Sequence, residues 1–440
     1  MKMKTSSTPA EPKFEDRWPL VWTAARYKLT TVTVALVGVV LGHSFAVNGK
    51  VLELQAWVAF SAAVATGNWD PCFFRNEFVS SLFMRVHEAR LGSDPPRVAP
   101  TPVRELAKED YSWEALRDAS DNWREPVIVR GMFSDTEAVA KWPASSVAAS
   151  MAGVTGNGVD IDGGLSSLAH FNVSVVQNST MGKDHWINCG GHPNVDAVME
   201  PFGAAFHDIE RYDPNSTGAV AKTIVVPPAS RSDRVRDPAL DDALSKLVDA
   251  ELDLPRIGGS WFKGIANSAL LQLWVGAGDS GSTQGTGLHC DICNNFIVQL
   301  AGSKVWEFIH PQYSALLRPT MRRGKTAISG SDITTKFEVL PYIPRLGATI
   351  HPGDFMYNPD WYWHTVRNAP GFAMAVVARE CNVTNFFQGN PVFSSLILTN
   401  HVAAGVFGGD SYALTRLKAA LGLVSTMGDF QPAPGMKGSV

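Results

Sequence analysis

From residue 269 onward the chain is written as short apolar runs broken by glycine-containing turns: ALLQLWVGAG, FIVQLAGSKVWEFI, FEVLPYI, GATIHPGDFMYNP, YWHTVRN and FAMAVVAR. Runs this short do not make helices of ordinary length, and their β-branched and aromatic content suits a pleated sheet. Strands this closely spaced, with turn chemistry between them, argue for an antiparallel sandwich or barrel of jelly-roll type. The pattern predicts a mainly β fold with flanking helices.

The text upstream is more mixed. Residues 92–103, GSDPPRVAPTPV, are proline-rich and without periodicity, as in a linker or stalk. Residues 104–122 space their apolar positions helically, EPVIVRGMF (125–133) is β-rich and ends at a glycine, and 137–152 and 237–252 read as helices. Between 153 and 235 the chain is rich in Gly, Asn, Ser and Asp, with short strands at HFNVSVVQ and AKTIVVPP. Residues 396–440 belong to a tail with helical spacing, suited to capping the barrel or to pairing two subunits as a homodimer.

One segment points to a membrane. Residues 29–47, LTTVTVALVGVVLGHSFAV, carry no acidic or basic side chain other than His43, and nineteen residues of helix cross a hydrocarbon core of about 30 Å. Lys2, Lys4, Lys13, Arg17, Arg26 and Lys28 precede it, whereas Lys50 and Arg75 are the first basic residues after it. The positive-inside bias then puts the 1–28 tail in the cytosol and the large C-terminal part in the lumen of the endoplasmic reticulum or Golgi, or outside the cell. A cleaved signal peptide, with SFA (44–46) as a small-x-small site, and a buried core helix are the competing readings. The stretch 48–103 reads as a stalk containing an amphipathic helix (51–67). N-x-S/T sequons at Asn172, Asn178, Asn215 and Asn382 suit a lumenal domain. A net charge of −4 provides no footprint for nucleic acid.

The chemistry concentrates in HCDICNNFIVQLAGSK (289–304). On a strand, His289 and Asp291 project from one face and can hold one ion together. Pro352-Gly353 suits the middle of a type II turn, and His364 follows on the next strand but one as a third ligand. Two histidines and a carboxylate on facing strands form the triad that holds non-haem Fe(II). Lys304 shares a strand face with Trp306 and Phe308; if those rings point inward, so does its ammonium, and a buried ammonium calls for an anion. Thr286, three residues before His289, has a hydroxyl to offer the same anion. Cys290 and Cys293 suggest a zinc or dithiol site, but no second C-x-x-C or C-x-x-H completes one, so packing is the simpler reading for both.

The pattern T-x-x-H-x-D-x-x-x-N-x-x-x-Q-x-x-G-x-K, at Thr286, His289, Asp291, Asn295, Gln299, Gly302 and Lys304, is followed by P-G-D-x-x-x-x-P-x-x-x-W-H, at Pro352, Gly353, Asp354, Pro359, Trp363 and His364. Together these resemble the JmjC/cupin-type Fe(II)- and 2-oxoglutarate-dependent oxygenases, particularly the asparaginyl-hydroxylase-like protein hydroxylases. EPVIVRG resembles that group's N-terminal strand, so the resemblance covers roughly 105–395 and sets a domain at 104–395.

The resemblance implies a double-stranded β-helix with iron on His289, Asp291 and His364. It places the distal carboxylate of 2-oxoglutarate on Lys304 and Thr286, with Asn295 beside the cosubstrate. It also implies O2 as co-reactant, ascorbate as a supporting reductant, and a polypeptide as substrate. Cys290 departs from the frequently aromatic residue between the histidine and the aspartate, 153–235 matches no part of the pattern, and Arg379 is the candidate for the family's late-strand polar residue. A catalytically silent lumenal cupin that binds a partner, and a cupin-type metal enzyme acting on a small molecule, are the alternatives.

Overall fold

The computed structural model describes residues 94–142, 164–177, 197–213, 222–226, 238–258, 271–278, 285–291, 293–317, 319–322, 325–329 and 340–380, with Asn390 and five residues between 85 and 91. The expected spanning segment 29–47, the tail 396–440 and the sequons at Asn178, Asn215 and Asn382 lie outside them. Among the described residues no helix is long and apolar enough to cross a membrane.

The order of elements is β1 (Thr101–Pro102), β2 (Arg104–Ala107), α1 (Trp113–Ala119), β3 (Val127–Arg130), α2 (Glu137–Lys141), β4 (Asn172–Gln177), β5 (Ala197–Pro201), α3 (Phe202–Glu210), β6 (Lys222–Val226) and α4 (Pro238–Glu251). Then come β7 (Leu271–Gly278), β8 (Gly285–Cys290), β9 (Asn294–Ala301), β10 (Lys304–Ile309), β11 (Pro319–Arg322), β12 (Lys325–Ser329), β13 (Leu346–Ile350), β14 (Phe355–Asn358), β15 (Trp363–Asn368) and β16 (Gly371–Glu380). The chain is mainly β, as its short apolar runs predict. They form two sheets, ordered β1-β13-β10-β15-β8-β12-β11 and β2-β3-β14-β9-β16-β7-β6-β4-β5.

The sheets pack against each other through one apolar layer. Ile297, Trp306, Phe308, Ile350, Met356, Val366, Ala375 and Val377 meet there, with Trp274 at its margin. Because side chains alternate across a strand, the partners of these residues face the other way: Phe296, Val298, Leu300, Phe355, Tyr357, Met374 and Val376 join a second core with the helices. β9 is buried along its whole length, which is why FIVQLA reads as a continuous apolar run instead of an alternating one. Helix α3 closes the second core with Phe202, Ala205, Phe206 and Ile209, a helical i, i+3, i+4, i+7 stripe. Ser112 caps α1, its Oγ accepting from the Ala115 N–H at 2.9 Å.

Two glycines fix the turns around the site. Gly302 (φ +57°) ends β9, and a Cβ there would lie 1.8 Å from the Phe372 carbonyl oxygen. Gly353 (φ +87°) occupies the second middle position of the turn before β14, where a Cβ would come within 2.8 Å of the Ser134 backbone. Asp354 N donates to His351 O (2.9 Å), closing the type II turn expected at Pro352-Gly353.

One expectation changes and another is extended. Helical spacing over 104–122 is realised only from Trp113; Arg104–Ala107 is an edge strand parallel to β3, where pairing satisfies one row of backbone groups and leaves the other to solvent. The short strands expected in the loop-rich stretch 153–235 are present as β4 and β6 and extend the larger sheet, β6 pairing with β7 and β4 with β6.

Candidate metal centre

His289 lies on β8 directly opposite His364 on β15, with a register irregularity just beyond, between His364 and Val366. Asp291 follows the end of β8, its carbonyl accepting from the Trp361 N–H at 2.7 Å. Trp361 holds a left-handed backbone (φ +59°), rare for a bulky side chain, in the turn that leads into β15. These constraints bring one ligand atom from each of His289, Asp291 and His364 within 4.8 Å of one another. Asp291 and His364 are buried and His289 half-buried.

The partners of the three tune them for a cation. Asn295 Nδ2 donates to Asp291 Oδ2 (3.1 Å) and to the Cys293 carbonyl (3.3 Å). Burial would raise the Asp291 pKa, but Arg379, His289, His364 and Asn295 outweigh it and hold the carboxyl well below its usual range. Burial first, then His289, pushes His364 down to about 3, so its imidazole is neutral near neutral pH. His364 Nδ1 lies 2.9 Å from the Tyr362 carbonyl, which can only accept. The proton is therefore on Nδ1, and Nε2 keeps its lone pair for a metal. Asn358 stands 3.3 Å from the same Nδ1; its buried Oδ1 is otherwise unpartnered, and turning the amide presents that oxygen as a second acceptor.

Lys304 opens β10 and is buried. It alternates with Trp306 and Phe308, both in the inter-sheet layer, and the Trp306 ring lies 5.6 Å from His364. Phe308 is the register partner of His364, so Lys304 starts roughly 13 Å further along the same inner face. Burial pushes its pKa down to about 8. Among the described residues no carboxylate pairs with it. Thr286 is opposite Val366 on β15; its side chain lies outside the described residues.

Several motif residues prove architectural. Asp354 accepts from Gly131 N and His351 N, each at 2.9 Å, and pairs with Arg130 at 2.6 Å. Gln299 Nε2 donates to the Ala301 and Gly302 carbonyls (2.7 and 3.2 Å), clamping the β9–β10 turn. Trp363 Nε1 donates to Ser314 Oγ (2.8 Å). His310 and His351 stay apart from the triad, His351 bonded to Ser303 and His310 edge-on to Tyr362. Cys290 is a buried thiol outside any disulfide, whereas Cys293 is disulfide-bonded. The two therefore do not pair, and Cys293 is more than the packing residue expected.

Sequence spacing underrated one basic side chain and passed over an acidic group. Arg379 Nη2 lies 3.5 Å from Asp291 Oδ2, a link between β16 and the β8 end that the sequence signals only through strand alternation. Behind the triad, Asn294 Nδ2 donates to Glu380 (3.0 Å), and Asn294 Oδ1 accepts from Tyr357 Oη and Asp360 N (3.0 Å each). Burial pushes Asp360 up to about 8 and Glu380 up to about 7.

The model of the cupin-like domain family matches residues 118–378, a stretch that holds both sheets' central strands and all three ligand residues. The chain belongs to the cupin-like domain family. Comparison with curated proteins finds no match. Cupin-like membership accounts for the paired sheets and is compatible with Fe(II) on the His289, Asp291 and His364 group.

Proposed function

We propose that this cupin-like protein is an Fe(II)- and 2-oxoglutarate-dependent oxygenase that hydroxylates a C–H bond of a polypeptide side chain. Within β7–β10 and within β13–β16 successive strands alternate between the two sheets, which supports a double-stranded β-helix of the kind this enzyme class uses. The donor set fits the metal: two imidazoles and one carboxylate make the facial triad that holds Fe(II) and leaves other positions open. When bound, iron with 2-oxoglutarate and O2 supplies the oxidation, in which 2-oxoglutarate loses CO2 to become succinate and one oxygen atom enters the substrate; ascorbate keeps the metal reduced.

The observation that carries the reading is Lys304: an ammonium buried on the inner face that holds the triad, with no carboxylate paired to it among the described residues. A cosubstrate with carboxylates at both ends answers both positive centres, one end at Lys304 with Thr286 and the other toward the triad. Asn295, held by its bond to Asp291, stands beside the triad. Trp306 and Phe308 exclude water there, which strengthens each charge interaction. His364 and Asp291 keep their metal-facing atoms unprotonated near neutral pH for the reasons given above.

An anchor at 29–47 would put the site on the lumenal or extracellular side of a membrane. The disulfide at Cys293 supports that side, since disulfides persist in oxidising compartments. The test is turnover: full-length protein in detergent with Fe(II), ascorbate and 2-oxoglutarate is expected to release succinate, and His289→Ala or Asp291→Ala to release none. Metal binding without succinate release in the presence of any polypeptide pool would leave a silent cupin as the better account.

A further inference from the structure

Arg379 stands on β16 opposite Asn295 on β9, two residues beyond Val377, which lies in the layer between the sheets. Strand alternation puts its side chain on that same inner face. Among the described residues its ion pair is the 3.5 Å approach of Nη2 to Asp291 Oδ2, long for a charge-assisted bond and not the two-pronged contact a guanidinium can make. Its Nε is buried without a hydrogen-bond partner. The side chain is about a quarter exposed, so the fork is neither spent nor sealed off.

Among the described residues, the charges on this face do not balance without a further anion. Among the described residues near the triad, Asp291 is the acidic side chain and Lys304 and Arg379 the basic ones. Glu380, next to Arg379, points to the opposite side of the sheet and is held by Asn294. Arg130 and Asp354 compensate each other at the Gly353 turn. A divalent metal takes up the Asp291 carboxylate, and the two carboxylates of 2-oxoglutarate answer the metal and Lys304. One positive charge is left over in a largely buried space, and it sits on Arg379, whose Asp291 partner is then shared with the metal. A buried charge without a counter-ion is costly.

We propose that Arg379 receives a carboxylate of the substrate, so that the polypeptide side chain presented to the metal is acidic, an aspartate or a glutamate. This deepens the oxygenase reading and rests on it. The carboxylate docks on the guanidinium through the unused nitrogens, and the neighbouring C–H bonds are thereby held toward the triad. Arg379 is a specificity-determining residue in this arrangement: an amide side chain of the same shape satisfies its hydrogen bonds but not its charge.

The experiment uses the full-length chain in detergent, loaded with Mn(II) and 2-oxoglutarate in the absence of oxygen, so that binding is read without turnover. Randomised peptide pools with a fixed central Asp, Glu, Asn or Gln compete with a labelled Asp-centred pool in fluorescence anisotropy. The wild type is expected to bind acidic-centred pools about tenfold more tightly than amide-centred ones, R379Q to lose that preference, and R379K to keep part of it. 2-Oxoglutarate affinity, measured by calorimetry on the same Mn(II)-loaded samples, is expected to fall far less in R379Q than affinity for the acidic-centred pools. Equal binding of Asp and Asn pools, no binding of any pool, or a preference that survives R379Q overturns the proposal. So does a large loss of 2-oxoglutarate affinity in R379Q, which would assign Arg379 to the cosubstrate. Failure of the wild type to bind Mn(II) with 2-oxoglutarate overturns the oxygenase reading itself, a result separable from all the others.

Discussion

Replacing Lys304 with methionine keeps most of the side chain's volume and removes its charge. In the folded chain without ligand, burial lowers the lysine pKa from 10.5 to about 8. A depressed lysine pKa means that the folded state holds the proton less well than the unfolded state. The charged form is therefore a destabilising contribution, fully present below about pH 8 and fading as pH rises toward 10.5. The shift from 10.5 to about 8 corresponds to about 3 kcal/mol at 1.36 kcal/mol per unit. Lys304→Met is thus expected to stabilise the ligand-free protein at pH 7 by up to about 3 kcal/mol, with the gain shrinking above pH 8. Chemical denaturation of wild type and variant from pH 6 to 10, with metal and cosubstrate withheld, reads this directly. A variant less stable than wild type at pH 7, or a gain that does not depend on pH, would refute the argument that the ammonium is buried without an anion.

Other expectations follow from the same structure. Asp360, with its pKa pushed up to about 8 by burial, costs stability as pH rises above its unfolded value of 3.8. Asp360→Asn is expected to be stabilising by roughly 2 kcal/mol or more at pH 8 but not at pH 4, as read in denaturant melts. Gly302→Ala and Gly353→Ala each combine a positive φ with a backbone collision, and are expected to cost about 3 kcal/mol or more in thermal unfolding. Cys293→Ser is expected to lose about 2–4 kcal/mol and reduced wild type to match it, whereas Cys290→Ser keeps the wild-type response to reductant.

The strands that build the site were readable because each is short, strongly apolar and ended by a turn residue with its own backbone demand, as at Gly302 and Gly353. His289 and Asp291 were legible from a spacing of two, since a strand turns that spacing into a shared face. His364 needed the additional inference that its strand pairs with β8, which the structure provides at His289↔His364. Lys304 was legible through its alternation with Trp306 and Phe308. What resisted reading depends on neighbours distant in sequence. Arg379 meets Asp291 only because β16 pairs with β9, and the Asn294, Tyr357, Asp360 and Glu380 group arises from three separate segments meeting behind the triad. Arg104–Ala107 has helix-compatible residues, and pairing with β3 overrides that local preference.

The central claim is that triad and lysine together bind one dicarboxylate through a metal. Calorimetric titration of 2-oxoglutarate into the full-length protein without oxygen, with and without Mn(II), tests it most directly. Metal-dependent binding is expected, absent in Asp291→Asn and weakened about 100-fold in Lys304→Met, the scale of one lost charge-assisted hydrogen-bond pair. Binding that is indifferent to the metal or to Lys304, or no binding at all, would contradict the account.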